Sequence, residues 1–409
     1  MTPSGPRPSP FSPGFADDPY SVLAPYRAEC PVARVTTPSG RPVWMITSDA
    51  GVRAGFTDAR LSLQDGRDLT APRERALDIT LVNYDPPHHT RIRRLATPWF
   101  TAQRVEAYRP TVEAVADELL APLALRPVAD LMADFAHPFS FQVMCELFAL
   151  DRAVRPDLYG WIATVFRHPV RDRRAVVDAM NRLDAFFHAE TRRRLAEPGD
   201  DVLSCLVRSW DPGGEVTEQE IVSLGASLLL ASYETTAATI GMSLVELLAR
   251  PAALAALRSG RVALPAAADE LLRFHPPGPF GTLRTATEDI PAGDTVIPAG
   301  ARVLLSIAAA NRDPARHADP DRLDLCRAGA GRHMTFGLGP HYCPGAPLAR
   351  LELTVALDAV ARHFPRMTLV QGRPRWRGDI LNRSLTDLLV RPHGGRPSVN
   401  GIPPTKVTT

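Results

Sequence analysis

Cys343 sits in a setting that can turn a cysteine into a ligand. Residues 336–352 read Phe-Gly-Leu-Gly-Pro-His-Tyr-Cys-Pro-Gly-Ala-Pro-Leu-Ala-Arg-Leu-Glu. A helix is predicted to begin just after Cys343, with Pro347 in its first turn, and to run through Leu348, Leu351, Val355 and Leu357 to about His363. A thiolate at that start receives backbone N–H donors and the positive end of the helix, which lowers a thiol pKa and suits an anionic metal ligand. Gly337, Gly339 and Gly345 permit turns without a Cβ and let the loop lie flat against a large planar group. An isolated cysteine is more often a small buried hydrophobe, so the loop carries this reading rather than the thiol alone. A second chemical signal lies in Leu228-Leu-Leu-Ala-Ser-Tyr-Glu-Thr-Thr236, where Glu234 and hydroxyls interrupt an apolar stretch. A partly buried carboxylate costs free energy unless it is solvated or paired. A threonine there has an ordinary alternative use, bonding back to its own helix.

The elements that must position these groups are mostly helical. Apolar spacing of three and four dominates from Thr90 to Arg273, and a helix over 221–249 would run roughly 43 Å, enough to cross the whole body. Pro265 opens another helix that stops near Phe274, before His275-Pro276-Pro277. Strands are a minority: 42–47 is short and β-rich, and 296–300 reads as a strand with a turn. Residues 1–18, with Pro3, Pro6, Pro8, Pro10 and Pro13, are expected to be a flexible arm, and 392–409 a flexible tail. The segment between them, 19–391, is expected to form a single mainly α domain with small β-sheets, since neither an internal repeat nor a Gly/Ser linker divides it.

Composition removes several classes of function. The 409 residues carry 47 basic and 45 acidic side chains, a balance that argues against a nucleic-acid or membrane-surface partner. Lys406 is the only lysine, which excludes a lysine Schiff base and the phosphate-holding lysine of P-loops. Cys30, Cys145, Cys205, Cys326 and Cys343 are scattered without a Cys-x-x-Cys pair, which fits a reducing cytoplasm rather than zinc or disulfides. The N-terminus has no apolar signal segment, and Glu234 and Glu246 break the longest apolar run, so no membrane is expected as a partner.

At the cysteine loop the sequence resembles the cytochrome P450 family. Phe336 to Arg350 match every fixed position of that family's haem loop, Phe-Gly-x-Gly-x-His-x-Cys-x-Gly-x-x-Leu-Ala-Arg. The resemblance continues in family order through Asp85-Pro-Pro-His-His89-Thr-Arg-Ile-Arg93, Ala231-Ser-Tyr-Glu-Thr235, Glu270-Leu-Leu-Arg273, Ala309-Ala-Asn-Arg-Asp313 and Pro320-Asp-Arg322-Leu323. It implies that haem b lies between a long distal helix and a proximal helix, with the Cys343 sulfur on the iron and Phe336, Gly337 and Gly345 shaping the loop. It further implies that His89, Arg93, Arg284 and His341 contact the haem propionates, and that Glu270, Arg273 and Arg322 form a buried network bracing the loop. Glu234 would relay protons and Thr235 would organise oxygen. His88, by contrast, keeps the reading of an ordinary surface histidine.

Ser232 stands where the family has glycine, so either the helix groove is narrower or the serine hydroxyl joins the proton network. Phe280, Leu283, Ile380 and Leu381 are candidates for a hydrophobic substrate site, and equally for core. Arg67, Arg73 and Arg75 could greet a polar substrate, though exposed arginines of this kind are usually just solvated. The implied activity is that of a bacterial-type monooxygenase inserting one atom of dioxygen into a small organic substrate, in secondary metabolism. The alternative is oxidative coupling of an aromatic natural product or peptide. No Gly-x-Gly-x-x-Gly fingerprint is present, so electrons are expected from a separate ferredoxin or flavodoxin served by an NAD(P)H reductase.

Overall fold

The computed structural model describes residues 8–64, 81–167, 172–211, 213–370, 374–378 and 382–394. Helix Glu218–Leu248 is the axis of the molecule. It starts three residues before the predicted boundary because Thr217 and Glu220 cap it reciprocally, each side chain meeting the other residue's backbone N–H. It is apolar over most of its circumference, as a helix largely buried in a core must be. By length and composition it is apolar enough to cross a membrane, yet 83% of its most apolar window is buried inside the protein. His137–Leu147, Arg173–Ala196 and Ala346–His363 pack along it. A π-turn, Met132–Ala136, feeds the first of these neighbours.

Among the described residues the strands form four small sheets. The largest has five strands in the order Val32–Thr36, Pro42–Ile46, Arg302–Leu305, Arg284–Ala286, Leu61–Ser62. Pro42–Ile46 and Arg302–Leu305 run parallel, with Trp44 opposite Val303, and the other pairs are antiparallel. Strand Thr295–Ile297 pairs with Ile290–Ala292, where the sequence predicts a strand and turn. A short hairpin, Trp376–Gly378 with Arg383–Leu385, packs on the long helix.

The expected N-terminal arm is corrected in part. Residues 8–18 fold onto the body: Phe15 is only 2% exposed and stacks on Phe280 with ring centroids 5.9 Å apart. The Ala16 and Asp17 carbonyls accept from Arg383, and the Pro8 carbonyl accepts from Tyr26. Prolines do not prevent such docking, and burying one phenylalanine contributes about 1.5–3 kcal/mol. In the tail, the ring Nε2 of His393 lies 2.6 Å from the Ala124 carbonyl. Residues 1–7 and 395–409 lie outside the described residues.

Candidate functional site

The cysteine loop is a succession of tight turns closed by its own backbone. Cys343 N–H donates to the Phe336 carbonyl at 2.9 Å, Gly337 N–H to Met334 and Tyr342 N–H to Gly339. Gly337 and Gly339 have φ of 70° and 74°, the left-handed region that favours glycine. A Cβ on Gly339 would also stand 3.0 Å from the Phe56 carbonyl oxygen. Gly345 has an ordinary φ of −80°, so its part differs from the turn-making expected of it: with Ala346 it puts backbone N–H groups near the Cys343 sulfur, which favour the thiolate, while Ala346 N–H donates to the Cys343 carbonyl at 3.3 Å. The pKa expectation is corrected as well. Burial pushes the Cys343 thiol up and outweighs those donors and the nearby Arg93 and Arg350. A thiolate here needs a cation against it. Among the described residues no cluster of three His, Cys, Asp or Glu could hold a bare metal ion, so the cation must bring most of its own ligands.

Close by, buried polar atoms lack partners. His89 and His341 lie ring against ring, centroids 4.0 Å apart. Both ring nitrogens of His89, Nε2 of His341 and Nε of Arg284 are buried without a hydrogen bond. Burial pushes both imidazoles down to about 4, and it lowers the Arg284 guanidinium. Buried donors of this kind call for an anion. The haem implied by the resemblance fits: its carboxylates match these donors and its iron matches the sulfur. Arg93 departs from expectation. It shares a helix, His88–Ala96, with His89, but its guanidinium donates to the carbonyls of Pro340 at 3.0 Å and Tyr342 at 2.5 Å. A long side chain thus clamps loop carbonyls that the tight turns leave unpaired. His88 is a structural residue, 3.0 Å from the capping Glu220.

On the long helix, Ala231 and Thr235 are exposed and Ser227 and Ser232 half-buried, although this is the middle of a core helix. Those positions mark an open face spaced by about one turn. The Thr235 hydroxyl donates to the Ala231 carbonyl at 2.7 Å and the Ser232 hydroxyl to Leu229 at 2.9 Å. Ser232 therefore spends its donor within the helix. Glu234 is not on that face. It is 3% exposed, its Oε1 is 2.5 Å from Arg377 Nη2, and its Oε2 is 3.9 Å from His137 Nδ1.

Helix Leu264–Phe274 braces the loop from behind. Arg273 grips Glu270 with two bonds of 2.7 and 2.8 Å, both residues fully buried. The third member is Arg327, not Arg322: Arg327 Nε is 3.1 Å from both Glu270 oxygens. The Arg322 side chain is 69% exposed and pairs with Asp324, while its carbonyl accepts from Arg273 and Arg327. A turn after Pro320 points the Arg322 side chain outward and brings the one five residues later back inward. Asn311 ties this network to the loop, its carbonyl accepting from Arg273 and its side-chain oxygen from Met334 N–H. Asp269 binds Arg350, whose guanidinium lies 4.6 Å from the Phe336 ring centroid.

Of the candidate substrate contacts, Phe280 is core beneath the N-terminal segment, and Leu283 packs partly against the same cluster. Ile380, Leu381, Arg67, Arg73 and Arg75 lie outside the described residues. Sequence reasoning missed Arg327, Arg377, His137 and Asp269, for which the sequence offers no local signal.

The sequence profile of the family described as Cytochrome P450 matches residues 262–389. The chain is 37% identical to Cytochrome P450 107B1 of Saccharopolyspora erythraea, over 93% of this chain and 97% of that protein. It is 37% identical to Cytochrome P450 monooxygenase PikC of Streptomyces venezuelae, over 93% of each. Among solved structures, the ligand-free P450 monooxygenase TamI superposes with a TM-score of 0.86 at 38% identity, covering 93% of both chains.

Proposed function

This chain belongs to the cytochrome P450 family of haem-thiolate monooxygenases, and from that premise we propose that it hydroxylates a small organic molecule of secondary metabolism. The observation that carries the reading is the buried Cys343 sulfur at a helix start, close to buried nitrogens of His89, His341 and Arg284 that have no hydrogen-bond partner. Bound haem supplies the activation of dioxygen, one atom going to substrate and one to water, with two electrons from a separate donor. Cys343 would hold the iron, and His89, His341 and Arg284 would hold the propionates. Arg93 and Arg350 keep the loop in place around the sulfur.

On the distal side, the Thr235 hydroxyl stands on the open face and can pass a proton to a group bound there, its present bond to Ala231 being exchangeable. Glu234, the adjacent residue, is the ionisable group that would resupply it. Ser232 stands half-buried beside the same face, its hydroxyl bonded back to Leu229 much as that of Thr235 is to Ala231. We place the electron donor, a ferredoxin or flavodoxin with its NAD(P)H reductase, on the face carrying the exposed Tyr342 beside the sulfur. The five cysteines are unpaired, in keeping with a cytoplasmic setting.

Relatives include 6-deoxyerythronolide B hydroxylase, at 36% identity, and the mycinamicin IV hydroxylase/epoxidase of Micromonospora griseorubida, at 35%. They support oxygen insertion over coupling and supply the first probes, 6-deoxyerythronolide B and mycinamicin IV. Turnover of a probe that shifts the iron's spin state, run under labelled dioxygen, should give a product carrying one labelled oxygen. A product lighter by two hydrogens and free of label would replace this reading with coupling.

A further inference from the structure

The carboxylate assigned to proton supply does not face the open side of its own helix. Successive helical residues are rotated by about 100°, so Glu234 and Thr235 point to different neighbours. Glu234 is turned to Arg377 on strand Trp376–Gly378, with the His137 ring on its other side. The Arg377 guanidinium is held in turn: Nε donates to the Leu385 carbonyl at 3.3 Å and Nη2 lies 3.5 Å from His137 Nε2. Leu385, fully buried, closes against the long helix at Gly241, where a Cβ would meet it at 3.7 Å. The hairpin is thus fixed to the helix that carries Glu234. Although Glu234 is 3% exposed, the Arg377 side chain is 31% exposed, so this ion pair spans from the core to water.

We infer that Arg377 is a positioning residue for proton delivery: it holds Glu234 at a solvent-linked post on the hairpin side of the distal helix, from which the protonated acid swings to Thr235. The inference rests on the proton-supply reading of Glu234. A proton from solvent neutralises the Glu234 carboxylate and weakens its bond to Arg377. The freed acid gives that same proton up on the Thr235 side, and the regenerated carboxylate returns to the guanidinium. Arg377 stays charged throughout, as an arginine does. Protons then enter beside the hairpin and not through the substrate cavity. The guanidinium also keeps the buried carboxylate from being stranded without a partner.

The test uses the haem-loaded full chain with a probe it oxidises, comparing Glu234→Gln, Arg377→Gln and the double variant. Arg377→Gln should lower the fraction of electrons recovered in product by roughly fivefold or more and raise the solvent deuterium isotope effect on turnover. Probe affinity, read from the spin-state titration, should stay within about twofold, since the Arg377 guanidinium is turned to Glu234 and the Leu385 carbonyl. In denaturant, the double variant should lose less than the sum of the single shifts in unfolding midpoint, as paired groups do. Wild-type electron recovery and isotope effect in Arg377→Gln, with Glu234→Gln impaired, would overturn the positioning role and leave the relay standing. Additive midpoint shifts would overturn the pairing. Unimpaired Glu234→Gln would overturn the relay and this inference with it. If Arg377→Gln does not fold, Arg377→Lys is read in its place: loss of electron recovery of about twofold with a raised isotope effect supports the role, and wild-type values in both overturn it.

Discussion

At the scale of single residues, chemistry collects where buried atoms lack partners in their own chain. The Cys343 sulfur becomes an anion only against a metal, so Cys343→Ser should abolish the thiolate signature of the reduced carbon-monoxide complex. Arg284 has a buried Nε without a partner, and Arg284→Leu should weaken haem retention by about tenfold or more, the worth of one charge-assisted bond. The measurement is the rate of haem transfer to excess apomyoglobin. His275 behaves differently, its needs met internally: Nε2 lies 2.6 Å from Glu246, and Nδ1 faces Tyr20 and Arg383. Burial pushes His275 down to about 4 from the ordinary 6.5. The unfolded chain therefore takes up this proton first, and stability is lost as pH falls from 6.5 towards 4. His275→Gln should flatten that part of the unfolding profile, measured by denaturant midpoints across pH 7 to 5. The loop residues and His89 were legible because each belongs to a short run of fixed spacing. Phe280 was not, because being core or pocket depends on what packs on it, and Phe15 does so from the far end of the sequence.

At the scale of elements, the long helix and the loop helix follow from caps, prolines and apolar spacing, and the structure places them near the predicted bounds. Which way each side chain of an element points is another matter. Spacing put Glu234 and Thr235 on one helix about 100° apart, but only the hairpin decides that the acid meets Arg377. The brace behind the loop gives a sharper case. Arg322 and Arg327 lie in one irregular segment with no period to orient them, and the turn there sends the first outward and the second onto Glu270. Arg327→Ala removes one of the two guanidiniums on a fully buried carboxylate that Arg273 still holds, and should cost about 1.5–3 kcal/mol, the worth of a hydrogen bond to a charged group, read from the unfolding midpoint of the holoprotein. Arg322→Ala, at an exposed site, should stay within about 0.5 kcal/mol of the native chain in the same unfolding assay.

At the scale of the whole molecule, the two chain ends help to close the structure. Arg383, near the C-terminus, donates to the Ala16 and Asp17 carbonyls and stacks 3.5 Å from the Trp376 ring centroid. Deleting residues 1–18 should therefore lower the melting temperature, and Phe15→Ala alone should cost about 3–5 kcal/mol for an emptied aromatic site. A melting temperature unchanged by the deletion would mean the segment is an appendage after all. The sequence by itself determined the elements and the chemical groups: a loop whose glycines, histidine and cysteine have meaning only together, a capped apolar helix, and an Glu-x-x-Arg pair on one helical face. These are local, fixed by backbone geometry within a few residues. Tertiary structure alone decided which arginine meets Glu270, which clamps the loop and which holds Glu234, because long flexible side chains settle wherever the fold leaves a buried oxygen unpaired.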